Sequence, residues 1–419
     1  MRRVETLVVG AGQAGLAISR CLTELGADHV VVERGRVAER WRTSRWDSLR
    51  LITPNWMSRL PSWSYTGPDP DGYSAAPELV RYLEGYADSF AAPVHENTTV
   101  ELVETSASGL RVVTDQRTWY ARNVVVATGT ENRAHVPGVA GGIDPRVHQL
   151  TAHRYRGPHQ VPDGGVLVVG ASASGVQIAD ELRRSGRPVT LSVGRHARLP
   201  RRYRGRDILW WMDRAGVLGH TIDQVRDSRS ARKAPSLQLS GRGRRVSLDE
   251  LAAAEVRLAG RLVAADGRRL SFDDDLPAST AAAQARMERL LRIIDGYSAR
   301  SGEGADPADP PPPFTAPAGP AGLDLGRAGI STMIWATGYR PAYPWLRVLV
   351  LDRHGEIAHR RGVTNIPGLY VLGLRFLYRR NSTYVDGAGR DARFVAAHLT
   401  RRMTAHALTS PPDSRDLSA

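Results

Sequence analysis

The chain has 419 residues, room for two to three domains at about 100–200 residues each, and 42% hydrophobic with 24% charged residues excludes wholesale disorder. Lys+Arg exceed Asp+Glu by 57 to 43, and since Lys233 is the sole lysine the net charge of +14 is carried by arginine, a residue suited to phosphate and carboxylate but also enriched by codon composition. A single cysteine, Cys21, excludes a disulfide framework, a CxxC redox pair and a cysteine-based zinc site.

Met1-Arg2-Arg3 leads straight into the strand-like Val4-Glu5-Thr6-Leu7-Val8-Val9, without a signal-peptide core. No run of about 18 uncharged apolar residues occurs. The expectation is a soluble cytoplasmic protein with no membrane partner, which the lone cysteine also fits.

The first motif follows at once. Gly10-Ala11-Gly12-Gln13-Ala14-Gly15 joins that strand to the helix-compatible Leu16-Ala17-Ile18-Ser19-Arg20-Cys21-Leu22. Glycines there serve the tight turn, the approach of backbone to pyrophosphate and the packing of helix on strand, and the helix amino end attracts the phosphates. A second strand, His29-Val30-Val31-Val32, ends at Glu33, an acid that can accept both hydroxyl protons of an adenosine ribose. Strand, loop, helix, strand and acid in register make a dinucleotide site rather than an unliganded turn.

Residues 41–75 carry turn residues and tryptophans without periodicity and read as an ordered functional loop region. Two buried strands, ending Ala127-Thr128-Gly129 and Ala336-Thr337-Gly338, bracket a second loop and argue for an inserted domain. That loop, Gly170-Ala171-Ser172-Ala173-Ser174-Gly175, has Ser172 for the central glycine, so it approaches phosphate less closely. Its following strand, residues 188–193, lacks a terminal acid and runs into Gly194-Arg195-His196-Ala197-Arg198. Arginine for acid favours a 2′-phosphate, hence NADPH over NADH.

Later segments carry less. Residues 281–299 hold Met287, Leu290, Leu291 and Ile294 at helical spacing, read as packing. The proline-rich stretch 302–320 reads as an exposed linker, and Asp273-Asp274-Asp275 as a solvated turn. The twelve histidines form no HxxxH or HExxH pattern, so no metal is expected. The basic run 201–206 is assigned to NADPH or a solvated face rather than to nucleic acid, and Trp210-Trp211-Met212 to packing or the substrate side.

Two dinucleotide loops and two Ala-Thr-Gly strands in this order resemble the class B flavin-dependent monooxygenases and their bacterial FAD-dependent oxidoreductase relatives over residues 4–405. Residues 39–54 look like the family's flavin-cradling segment, residues 366–373 like its returning strand, and Val385-Asp386-Gly387-Ala388-Gly389 like a helix start facing the flavin pyrimidine. One position departs: Tyr155 matches the family's linking fingerprint, but Thr151 stands where a histidine is usual, so coupling between domains or to NADP must differ.

The resemblance implies an α/β fold of two Rossmann-like domains, the NADPH domain inserted into the FAD domain. Its segments would be residues 1–158 (FAD, first part), 159–321 (NADPH), 322–405 (FAD, second part) and a disordered tail, 406–419. The implied FAD set is Gly10, Gly12, Gln13, Ala14, Gly15, Glu33, Arg34, Trp41, Arg45, Trp46, Asp47, Leu51, Thr53, Ala127, Thr128 and Gly129. The NADPH set is Gly170, Ser172, Ser174, Gly175 and Arg195, with Arg198 in reserve, and Ala336, Thr337 and Gly338 are further cofactor-binding residues. Asn55 reads either as a catalytic amide near flavin and nicotinamide or as a turn residue after Pro54. The implied activity is transfer of one oxygen atom of O2 to a small organic substrate through a flavin C4a-(hydro)peroxide, with NADPH oxidase or flavin reductase, and a non-catalytic redox sensor, as alternatives. Specificity is expected in residues 200–320, where the resemblance is thinnest; the oligomeric state stays open.

Overall fold

The computed structural model describes residues 2–107, 109–241, 243, 245–303 and 306–409. The chain begins with strand β1 (Arg2–Val9), helix α1 (Gln13–Glu24) and strand β2 (His29–Val32). Helix α2 (Ala76–Asp88) and strands β3 (Val94–His95), β4 (Val100–Ser106), β5 (Gly109–Thr114) and β6 (Thr118–Val126) complete the first pass. The chain then crosses to a second sheet with β7 (His148–Thr151), β8 (Gly165–Val169), helix α3 (Ala173–Arg184), β9 (Val189–Ser192), β10 (Arg257–Ala259), helix α4 (Leu276–Ser301) and β11 (Ile330–Trp335). It returns with β12 (Leu369–Val371) and ends on helix α5 (Val385–Thr409).

The first sheet has seven strands in the order β3-β2-β1-β6-β5-β4, with β12 also on β6. Its dinucleotide half is parallel, Val9 pairing with Val32 on one side and Val126 on the other. The second sheet has five strands in the order β7-β11-β8-β9-β10, all parallel. Its strands lie in sequence between β6 and β12, so the second unit is inserted into the first.

Parallel strands covered on both faces read as continuous apolar runs, and the triplets Leu7-Val8-Val9 and Val124-Val125-Val126 are buried throughout. Helices α1, α2 and α5 pack one face of the first sheet through Leu16, Ile18, Leu83, Val395 and Leu399. Beyond the second sheet, the helix Ile208–Arg214 packs on α4 through Trp211, Met287, Leu291 and Ile294. Trp211 is thus packing, whereas Met212 reaches the cleft described below.

Three segments differ from the sequence reading. Helix α4 extends beyond 281–299 at both ends, started by Pro277 in its first turn and stopped by Gly302 in the left-handed region. The proline-rich stretch is exposed over much of its length, but Ala316 is buried and donates its N–H to Thr280 Oγ1 at 3.1 Å, so the segment is tied down. Residues 406–409 belong to α5 rather than to a tail, and the expected tail from 410 onward lies outside the described residues.

Candidate cofactor and active-site cleft

Each glycine loop is required by its neighbouring Ala-Thr-Gly strand end. Gly10 has φ +106°, and a Cβ there would stand 2.9 Å from Ala127 O; Gly170 has φ +110°, and its Cβ would stand 2.5 Å from Ala336 O. A Cβ on Gly15 would lie 1.8 Å from Gly10 O, and one on Gly175 1.7 Å from Gly170 O. These four glycines therefore serve close backbone packing. Gly12 differs, because a Cβ there meets nothing within 4 Å: the space in front of it is open. At the equivalent place in the second loop, the Ser172 side chain makes no capping hydrogen bond to its own helix.

Both loops open on one cleft of about 1790 Å³. Neither α1 nor α3 has an acidic residue in its first turn, so both positive helix ends face the cleft uncompensated. Beside them the Thr128 hydroxyl is buried without a partner among the described residues. An open glycine cradle, two free helix ends and an orphaned hydroxyl fit two phosphate-bearing cofactors.

Glu33 lines this cleft at the end of β2. Its Oε2 accepts from Ala11 N at 2.8 Å and its Oε1 from Gly35 N at 3.2 Å. The backbone thereby fixes the carboxylate, whose remaining lone pairs are free for ribose hydroxyls. Arg34 lies on the same wall.

A polar cluster forms the next part. The Arg45 guanidinium lies 4.5 Å from the Trp41 ring centroid and pairs with Glu131 at 2.6 Å. Burial works against the Arg45 charge, but Glu131 and Tyr339 more than offset it and hold its pKa above the ordinary arginine value. Trp41 Nε1 donates to Gln13 Oε1 at 3.4 Å, and Gln13 Nε2 donates to Thr383 O at 3.3 Å, tying α1 to the start of α5. Ala14, Leu51, Thr53, Ala127 and Gly129 complete this side.

The second half of the wall holds Ser172, Ser174, Arg195, Ala336, Thr337 and Gly338. Arg195 is exposed and has no ion-pair partner among the described residues. Thr337 Oγ1 donates to His135 O.

Six expected residues lie off this wall: Gly15 and Gly175, which pack against their own loops, and four more. Asn55 is spent on a neighbouring loop: its Nδ2 donates to Asp69 O at 2.8 Å and its Oδ1 accepts from Ser74 Oγ at 2.6 Å. These contacts fit the turn role. Trp46 packs in the core of the second unit, and Asp47 is exposed, its N–H donating to Arg156 O at 2.8 Å. Arg198 is 4% exposed and is paired away from the cleft, with Asp249 at 3.1 Å and Pro312 O at 3.0 Å.

Several wall residues carried no sequence signal: Glu131, His153, Tyr339, Arg375, Arg380 and Tyr384. They sit singly in connections, without spacing to mark them. Gln238, also unmarked, is buried and donates Nε2 to Ala171 O at 2.5 Å, bracing the second glycine loop.

The junction between units is built on Glu181 of α3: Ser48 Oγ of the first unit donates to one carboxylate oxygen at 2.5 Å, and the Tyr155 hydroxyl, from the connection after β7, donates to Oε2 at 2.9 Å. Thr151 ends β7 just before Tyr155, its carbonyl accepting from Tyr155 N at 3.0 Å. Two arginines of the basic run are paired, Arg201 with Asp207 at 2.5 Å and Arg204 with Asp295 at 2.8 Å. Among the described residues no group of three His, Cys, Asp or Glu side chains is placed to hold a metal ion, and no helix is long and apolar enough to cross a membrane.

Comparisons with known proteins agree with this geometry. The family model of pyridine nucleotide-disulphide oxidoreductases matches residues 7–205. An uncharacterized CzcO-like oxidoreductase of Geobacillus kaustophilus is 32% identical over 396 residues, covering 94% of this chain and 97% of that protein. The probable indole-3-pyruvate monooxygenase YUCCA1 of Arabidopsis thaliana is 32% identical over 183 residues, 42% of this chain and 44% of that protein. A flavin-containing monooxygenase from Stenotrophomonas maltophilia shares the fold with a TM-score of 0.65 at 22% identity, covering 96% of this chain and 100% of that one. Full-length likeness to the first relative places the chain among the CzcO-like oxidoreductases, its fold is shared with flavin-containing monooxygenases, and its two-loop cleft fits FAD and NADP as cofactors.

Proposed function

We propose that the enzyme oxidises NADPH and transfers one oxygen atom of O2 to a small organic substrate, by N- or S-oxygenation or by hydroxylation of an activated carbon. The observation that carries this reading is the shared cleft: two nucleotide loops facing one space allow a reductant and a flavin to meet there. When bound, FAD supplies hydride acceptance and O2 activation, chemistry no side chain here can perform.

The chain's own residues bind and orient. Gly12 and the amino end of α1 would hold the FAD pyrophosphate, Glu33 the adenosine ribose, and Trp41, Gln13 and Arg45 the ring end. Ser172, Ser174 and Arg195 would take NADPH, with Arg195 on the 2′-phosphate. Leu51, Met212 and the Trp41 ring give the cleft apolar surface that keeps water from the reacting atoms.

Thiol chemistry has no place in this scheme. Burial pushes the Cys21 thiol up to about 12, and it is the sole cysteine, so a protein dithiol relay lacks its residues.

The test is anaerobic reduction of the FAD-loaded protein with NADPH, then admission of air in the presence of amines, sulfides and indoles. Oxygenated product in proportion to NADPH supports the reading. Stoichiometric hydrogen peroxide with every compound would replace it with an NADPH oxidase.

A further inference from the structure

We propose that the cleft wall formed by Arg375, Arg380 and Tyr384 is a carboxylate-binding subsite, which selects anionic substrates with an apolar body. The inference names the substrate class of the cleft assigned above and rests on that reading only for the chemistry after binding.

The three residues lie between β12 and the amino end of α5. Burial raises the Tyr384 pKa, and Arg375, Arg380 and Arg201 all stand close enough to oppose that rise. Of these arginines only Arg201 is neutralised, by Asp207 at 2.5 Å. Arg375 donates to Ser236 Oγ at 3.1 Å, and the Arg380 guanidinium lies 5.6 Å from the Phe376 ring centroid. Neither has a carboxylate partner among the described residues.

The carboxylates of the cleft wall are engaged elsewhere. Glu33 is held by Ala11 N, Glu39 pairs with Arg36 at 3.6 Å and Glu131 pairs with Arg45, while Glu356 makes no ion pair with Arg375 or Arg380. Among the described residues, the titratable group bearing on Arg380 is the Tyr384 hydroxyl.

Two guanidinium groups without counter-ions on a concave wall leave an anion-sized electrostatic deficit. Guanidinium forks match carboxylate geometry, and the neighbouring phenol can donate a further hydrogen bond. Met212, Leu237 and Leu374 line the cleft beside them and supply the apolar contact. Cofactor phosphates have their own partners at the glycine loops and Arg195, so the anion expected here belongs to the substrate.

The experiment titrates FAD-loaded protein with phenylacetate and with phenylacetamide, its neutral analogue, following the flavin absorbance at constant ionic strength. Phenylacetate is expected to bind more tightly by about tenfold, the scale of one charge-assisted contact. Arg380→Gln should bring the two within about twofold, and Arg380→Lys, which keeps charge but loses the fork, should fall between. FAD occupancy and NADPH affinity should be retained in both variants. Equal binding of acid and amide by the unaltered protein overturns the proposal. So does loss of FAD or NADPH binding in Arg380→Gln with discrimination intact, which would assign the arginines to a cofactor phosphate. Peroxide production without product would defeat the monooxygenase reading while leaving this discrimination measurable.

Discussion

Tyr155 and Glu181 meet inside the second unit, a 2.9 Å hydrogen bond between the connection after β7 and helix α3. The Tyr155 ring is fully buried, and the Glu181 carboxylate is shared with Ser48 from the flavin-side loop. Through Ser48 that carboxylate links the second unit to the first.

Tyr155→Phe is expected to lower unfolding stability by about 1–2 kcal/mol, the cost of leaving a charged acceptor short of one donor. FAD occupancy should stay normal. Denaturant titration with flavin fluorescence in parallel checks both, and unchanged stability would remove the junction role.

The glycines divide by what faces them. Gly12→Ala adds a methyl that meets no protein atom, so the apoprotein should fold normally yet retain little FAD. Gly15→Ala drives a methyl into Gly10 O and should destabilise the fold itself. Thermal melts of apoprotein alongside flavin content separate the two; normal FAD content in Gly12→Ala would disprove the cradle.

Arg195→Ala should raise KM for NADPH by about tenfold or more, the worth of one charge-assisted contact, and leave KM for NADH almost unchanged. Equal effects on both coenzymes would move the 2′-phosphate contact elsewhere.

Burial, reinforced by nearby Arg232, lowers the His359 pKa to about 4, and its Nδ1 accepts from Gly362 N at 3.3 Å. The unfolded chain therefore binds this proton at a higher pH than the folded one. Stability should fall as pH drops from about 6.5 towards 4, by up to about 3 kcal/mol from this group. His359→Gln should flatten that acid limb in urea titrations across the range; an unaltered limb would shift the cause to other buried histidines.

Backbone chemistry was the legible part of the sequence. The glycine loops and Ala-Thr-Gly ends announce themselves because close approach and positive φ admit few residue types. Glu33 was legible by its place at a strand end. Asn55, Asp47 and Trp46 were not, since nearby loops decide which way their side chains turn. Arg198 was hidden for another reason: its partner Asp249 lies far along the chain, and no local pattern reveals that the charge is already spent. Arg380 is the converse, visible only after folding shows that no acid comes near.

The pairing of β12 on β6 carries a consequence for biogenesis. Val124, Val125 and Val126 receive Leu369, Tyr370 and Val371 along one edge, and all the residues between must emerge from the ribosome first. Until then that edge is an unpaired apolar template, prone to recruit strands from other molecules. Closure of the flavin lobe is thus a late event of synthesis, and a nascent chain cut short within the inserted lobe would leave an adhesive fragment instead of a functional half.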